Sequence, residues 1–369
     1  MFSRKSEDTE TNIPYWYRPH RSPTKLPILF IHGIGIGLLP YIQFFRELVA
    51  QDPDVGILAI EILPISMRIT AAPLDRDAMC AAITRILTAH GLHRVVLAGH
   101  SYGTAVSAHL LRRQDSLLNP LTTQTPHHAQ QQPAYESTDE HHVINHDDTN
   151  AGNSDSDLIA ATLLIDPIPF LLHYPAIAYN FVYRQPRHAN EWQLWYFASR
   201  EPDTARALSR HFFWFECILF REDVLSAASG GREPSPAAAA AVAAGEQGKK
   251  RPMPVTVSLS GRDQIVDARA VRAYLTGSED PEEEEQVCGK GRAGLPPSRW
   301  EQDGLEVLYF PELDHATVLD TPIDRAPLLG ALRRFVRLDE ENEEDGGRKS
   351  VDGTGAAGAM MNCNLVDVE

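Results

Sequence analysis

Residues 94–113 read RVVLAGHSYGTAVSAHLLRR, and this stretch decides the fold. Val95 to Ala98 is an unbroken apolar run, the pattern of a strand buried on both faces. From Gly103 to Arg113 the chain reads as a helix. Between them, Gly99-His100-Ser101-Tyr102-Gly103 forms a G-x-S-x-G. The pentapeptide alone is a weak sign; its place between a buried strand and a helix gives it weight. A serine on a sharp strand-to-helix elbow needs small residues on either side. Gly99 and Gly103 let the backbone turn and pack closely, leaving Ser101 exposed with its Oγ at the helix N-terminus.

The same alternation continues outward. PILFIHG (27–33), VGILAIEIL (55–63), LIAATLLIDP (158–167), VTVSLSGRD (255–263) and LEVLYFPEL (305–313) read as further strands. Helices are expected around 39–50, over 74–90 and over 322–337. In the second of these Met79, Ala82, Ile83, Ile86 and Leu87 fall at helical spacing, with Gly91 closing it. Strands alternating with helices imply an α/β fold, a mostly parallel sheet flanked by helices with right-handed crossovers. The 369 residues suit one such domain over 26–337, preceded by an N-terminal segment (1–25). Four stretches lack the large apolar residues of a core: 115–157, 230–252, 278–297 and 338–369. The first is expected to be a disordered insert, the second a linker, the third an acidic insert and the last a disordered acidic tail.

The formal charge of −16 leaves no basic footprint for a nucleic-acid partner. Twelve of the acids sit in two runs, 279–285 and 339–345, so most of that charge belongs to solvated segments and says little about a substrate. Cys80, Cys217, Cys288 and Cys363 are far apart and form no C-x-x-C, a usage that fits a reducing compartment. With no apolar leader near Met1 and no run long enough to span a bilayer, an intracellular, cytoplasmic protein is expected.

A serine hydroxyl attacks only when a base takes its proton. In the chain order serine, acid, histidine, the base follows the last strand, and His315 sits there in Glu312-Leu313-Asp314-His315. Two acids compete to orient it, Asp263 in Ser260-Gly261-Arg262-Asp263 and Asp166 in Leu164-Ile165-Asp166-Pro167, both at strand ends. Asp263 is preferred, because Gly261 permits a sharp turn and its strand directly precedes that of the histidine; Asp166, held by Pro167, suits a residue that ties a cap to the sheet. Asp314 and Asp267 read as surface loop charges. Donors for a developing oxyanion are expected from the backbone N–H groups of Tyr102, just after the nucleophile, and of Ile34, in His32-Gly33-Ile34-Gly35. His32 is expected to order that loop. No metal or organic cofactor is called for, and the histidine predicts an acid limb near pH 6 to 7.

With HGIG, GHSYG, SGRD and DH in this order, the chain resembles the serine-nucleophile, AB hydrolase-1 type of the α/β-hydrolase superfamily. HGIGIGLLPYIQFFREL, DPIPFLLHYPAIAYNFVYR and ALSRHFFWFECILFREDVL resemble a eukaryotic group of such proteins, which implies the fold and a triad without a defined substrate. The strands that usually precede the HG loop are not evident in 1–25, beyond PYWYRP as a remnant. The stretch 168–229 occupies the usual position of a cap. It holds nearly half of the chain's aromatic residues, fourteen of 29 between 170 and 220, which favours a hydrophobic small-molecule or acyl substrate and leaves peripheral membrane contact open. The expected activity is serine-dependent hydrolysis of a hydrophobic carboxylic ester. Acyl transfer or thioester cleavage on the same triad, and a non-catalytic hydrophobic-ligand carrier, are the alternatives.

Overall fold

The computed structural model describes residues 4–7, 13–118, 158–228, 253–278 and 297–340. Nine strands form one sheet: β1 (Arg4–Glu7), β2 (Pro14–Arg18), β3 (Ile28–Ile31), β4 (Ile57–Ile60), β5 (Val95–His100), β6 (Ile159–Ile165), β7 (Val255–Ser260), β8 (Ser298–Gln302) and β9 (Leu305–Phe310). Their order is β1-β2-β4-β3-β5-β6-β7-β9-β8. The six from β4 to β9 in that order run parallel, while β1, β2 and β8 pair antiparallel at the two edges.

The parallel strands are buried along their whole length because helices cover both of their faces. Side chains alternate between faces along a strand. Ile28, Phe30, Ile57, Ala59, Val96 and Ala98 pack with α1 (Ile42–Gln51) and the C-terminal helix α8 (Pro322–Phe335). Leu29, Ile31, Leu58, Ile60, Val95 and Leu97 face α2 (Arg76–Ala89) and α3 (Tyr102–Leu118). The Asp75 carboxylate caps α2 by accepting from Ala78 N–H at 2.8 Å, and Gly91, at φ 66°, follows its end.

The strand order reverses at β3, with β4 on one side and β5 on the other. Loops leaving the ends of β3 and β5 therefore diverge and open a crevice, the place where α/β sheets gather ligands. Between β6 and β7, residues 168–228 fold over this edge with the short helices α4 (Ala189–Leu194), α5 (Pro202–Arg210) and α6 (Arg221–Ala228). Their entry and exit are stitched together, Phe170 bridging Leu219 and Leu219 N–H donating to Pro169 O at 3.1 Å. A further helix, α7 (Ala268–Thr276), follows β7.

The N-terminal segment departs from expectation. PYWYR is a full strand, β2, with Tyr15 opposite Ile60 and Tyr17 opposite Leu58, and β1 pairs on its outer side. Trp16 points to the other face and donates its indole N–H to Glu61 at 3.2 Å. At the far edge, SRWEQ adds β8, which was not expected. At the other end of the domain Leu338, Asp339 and Glu340 pack back, Thr24 Oγ1 donating to Glu340 at 2.7 Å and Arg94 pairing with Asp339. The expected disordered insert (from 119 on), the linker (230–252), most of the acidic insert (279–296) and the tail beyond 340 lie outside the described residues. The two ends that flank the first of these touch: Gln114 Oε1 accepts from Ile159 N–H at 2.9 Å, and its Nε2 donates to Ile159 O at 3.3 Å. Among the described residues no helix is long and apolar enough to cross a membrane.

Candidate active site

Ser101 occupies the elbow between β5 and α3 at φ 50°, a left-handed conformation rarely adopted outside glycine. Its backbone is held on both sides, Ser101 N–H donating to Ile165 O and Thr104 N–H to Ser101 O, each at 2.9 Å. The two flanking glycines are required sterically. A Cβ on Gly103 would lie 2.2 Å from Ile31 O, and one on Gly99 would lie 2.4 Å from Ser107 Oγ.

His315, after β9, places its Nε2 2.8 Å from Ser101 Oγ and its Nδ1 2.6 Å from Asp263 Oδ2. With the Nδ1 proton directed to the carboxylate, Nε2 is free to accept the serine proton. The other Asp263 oxygen accepts from Ile265 N–H at 2.7 Å and Val266 N–H at 3.0 Å, which fixes the carboxylate. The two loops are tied directly, Gly261 N–H donating to Phe310 O at 2.7 Å and Arg262 N–H to Leu313 O at 2.8 Å. Burial alone would lower the His315 pKa. The adjacent Asp263 carboxylate, its hydrogen bond, and the charges of Asp166 and Asp314 outweigh that and hold it above the ordinary histidine value.

Asp166, the competing acid, makes no hydrogen bond to the imidazole. Its Oδ1 accepts from Ser260 N–H at 3.1 Å and its Oδ2 from Ala316 N–H at 2.7 Å. Asp314 and Asp267 are not idle surface charges. Asp267 caps α7 through Ala270 N–H at 3.1 Å. Asp314 Oδ1 accepts from His315 N–H at 2.7 Å and Gln264 N–H at 3.1 Å, and its Oδ2 accepts from Asn190 of the cap at 2.6 Å. An aspartate just before a loop apex commonly reaches the next backbone N–H groups, and that was its only signal in the sequence.

The loop after β3 is ordered from beneath. His32 Nδ1–H donates to Gly33 O at 2.6 Å and its Nε2 accepts from Ile62 N–H at 2.8 Å. Complete burial lowers its pKa, in keeping with a neutral ring. Gly33 N–H is committed to Tyr41 Oη at 2.9 Å and Gly35 N–H to Ile65 O at 3.0 Å. Among the described residues the N–H groups of Ile34 and Tyr102 take no partner. Tyr41 was not anticipated; nothing in Pro40-Tyr41 marks it. Its hydroxyl also meets His100 Nδ1 at 2.6 Å, so one phenol joins the β3 loop to the elbow. Burial, with His315 and His32 nearby, drives the His100 pKa well below the usual value, so this ring stays neutral.

The family model for the alpha/beta hydrolase fold matches residues 27–276, well over half of the chain. The chain belongs to the α/β-hydrolase-fold family. The match covers Ser101 and Asp263 and ends before His315, whose place rests on the geometry above. Comparison by sequence with curated proteins returns no match. Solved structures similar to this α/β-hydrolase-fold chain include naproxen esterase (carboxylesterase NP) from Bacillus subtilis, 10% identical, covering 90% of each chain at a TM-score of 0.46. The 2-hydroxy-6-oxo-6-phenylhexa-2,4-dienoate hydrolase of Rhodococcus sp. strain RHA1 is 11% identical, covering 89% of this chain and 97% of that one, with a TM-score of 0.45. A bacterial membrane phospholipase A is 13% identical over 91% and 86%, with a TM-score of 0.46. At these levels they say nothing about the substrate.

Proposed function

We propose that this chain is a serine hydrolase that cleaves a carboxylic ester of a hydrophobic substrate through an acyl-enzyme. The observation that carries this reading is the continuous line Ser101 Oγ, His315 Nε2, His315 Nδ1, Asp263 Oδ2, with 2.8 and 2.6 Å links. Ser101 attacks the ester carbonyl while His315 takes its proton. Asp263 holds the imidazole tautomer and stabilises the imidazolium. The N–H groups of Ile34 and Tyr102 receive the oxyanion, donors of a kind worth about 3 kcal/mol each in a comparable protease. His315 then protonates the departing alcohol, and water, deprotonated by the same ring, releases the acid.

The hydrophobic preference is supported by the cap. Phe212 of the cap lies against Tyr102, ring centroids 5.9 Å apart, so aromatic surface begins beside the nucleophile. Ten aromatic side chains between 174 and 220 are at least 43% exposed. Rings rich in tyrosine and tryptophan suit the boundary between water and lipid, which makes a membrane surface a fitting source of substrate.

The test is covalent labelling with a fluorophosphonate, read beside turnover of a medium-chain p-nitrophenyl ester. The wild-type chain should label at one serine. Ser101→Ala should remain folded, refuse the label and lose turnover by ~10⁶-fold. Wild-type protein that neither labels nor turns over, or a Ser101→Ala variant that does both, would overturn the proposal.

A further inference from the structure

We propose that Asp166 is a positioning residue for His315, fixing the loop that carries the imidazole and supplying a second negative charge behind the Asp263–His315 pair. This rests on the reading of His315 as the base. The argument begins with the backbone. Asp166 directly follows β6 at φ 44° and Ala316 follows the histidine at φ 68°, two left-handed residues that are not glycine. Such conformations persist only where the surroundings over-determine them. The Asp166 carboxylate joins them, since its Oδ2 accepts the Ala316 N–H at 2.7 Å. Its Oδ1 takes the Ser260 N–H at 3.1 Å, and its own N–H donates to Ser258 O at 2.9 Å. Standing at the end of β6, Asp166 thus binds the end of β7 through side chain and backbone and the residue beside the histidine through its side chain.

The loop is held from two sides. The His315 N–H goes to Asp314 and the Ala316 N–H goes to Asp166, so consecutive amides are each fixed by a carboxylate. The two acids differ in setting, since Asp166 is only 1% exposed whereas Asp314 is reached by solvent. A buried carboxylate acts on its neighbours with little screening. Four groups bear on the imidazole: Asp263, Asp166 and Asp314 favour its charged form, and neutral His100 packs with ring centroids 5.6 Å away. Burial pushes the Asp166 pKa up to about 6, with the Asp263 charge adding to the rise, while His315 and the two N–H donors hold it down. Above that pH Asp166 is ionised. The role differs from that of the triad acid, which meets the ring at Nδ1; Asp166 acts on the ring only through the loop and the field.

The experiment measures kcat/KM and the rate of fluorophosphonate labelling against pH in wild type, Asp166→Asn and Asp166→Ser. Removing a negative neighbour lowers the His315 pKa, so the acid limb should move to lower pH, by about one unit. Loosening the loop should cut kcat/KM by about 10- to 100-fold through kcat, with KM nearly unchanged. A residue that merely holds the sheet together would lower Tm and leave the limb where it was. An unmoved limb in a folded variant overturns the proposal, as does a failure of both variants to fold, which would make Asp166 part of the framework. A wild-type chain that does not label would instead refute the hydrolase reading itself.

Discussion

Asp263 and Gly103 illustrate how little freedom single positions have here. Asp263→Asn would present an amide N–H to His315 Nδ1 and favour the wrong tautomer. Turnover should fall by ~10⁴-fold with the fold intact, as read by steady-state kinetics and circular dichroism. The sign of the pH effect follows from the same pair. His315 can take the serine proton only when neutral, and its carboxylate neighbours raise its pKa to about 9, so wild-type kcat/KM should rise with pH along a limb displaced well above neutrality. That is higher than the 6 to 7 expected from an unperturbed histidine. Gly103→Ala tests the steric claim. With its Cβ driven to 2.2 Å from a backbone carbonyl, the elbow must shift, at a cost of about 1–3 kcal/mol, visible as a lowered Tm.

At the level of elements, the cap's exposed rings carry a prediction of their own. Trp214 and Phe215 are 48% and 58% exposed and adjoin each other edge to face. The double change Trp214→Ser, Phe215→Ser should weaken co-sedimentation with phosphatidylcholine vesicles while leaving hydrolysis of a soluble short-chain ester close to wild type. Equal sedimentation would remove the membrane part of the reading. Which elements could be foreseen depends on how they are buried. β3 and β4 are wholly apolar, and β5, β6, β7 and β9 are buried along their whole length, so their apolar-rich runs are visible without partners. PYWYR was obscured by Pro14 and Pro19 and by having no aliphatic residue; its rings fill a half-covered edge, a match evident only beside β4. SRWEQ was obscured by its charges, although its turn was in view. Asp303 and Gly304, at φ 51° and 83°, form the two-residue hairpin connection that Asp-Gly favours. The Ser101–His315–Asp263 arrangement was legible because each residue follows a strand end, in chain order. The Tyr41–His100 contact, the Asp314 contacts to Gln264 and Asn190, and the N–H groups held by Asp166 were not, because these partners are distant in sequence.

Across the whole molecule, connections between distant segments decide what depends on what. Arg325 of α8, its side chain 4% exposed, pairs with Glu47 of α1 at 2.5 Å and donates to Leu319 O at 2.6 Å. Glu47→Ala would leave that guanidinium half-satisfied inside the helical layer behind the sheet. Thermal unfolding should report a loss of about 2 kcal/mol with Ser101 labelling unchanged. The contact between Gln114 and Ile159 has the opposite meaning. Because the chain leaves and re-enters the fold at one clamp, the framework does not register how many residues lie between, and closing a longer loop costs little more than closing a shorter one. The position is a port. A guest domain whose own termini lie close together, spliced in place of 119–157, should be carried without disturbing fluorophosphonate labelling of Ser101, so this fold could serve as the host half of a reporter read out by that labelling.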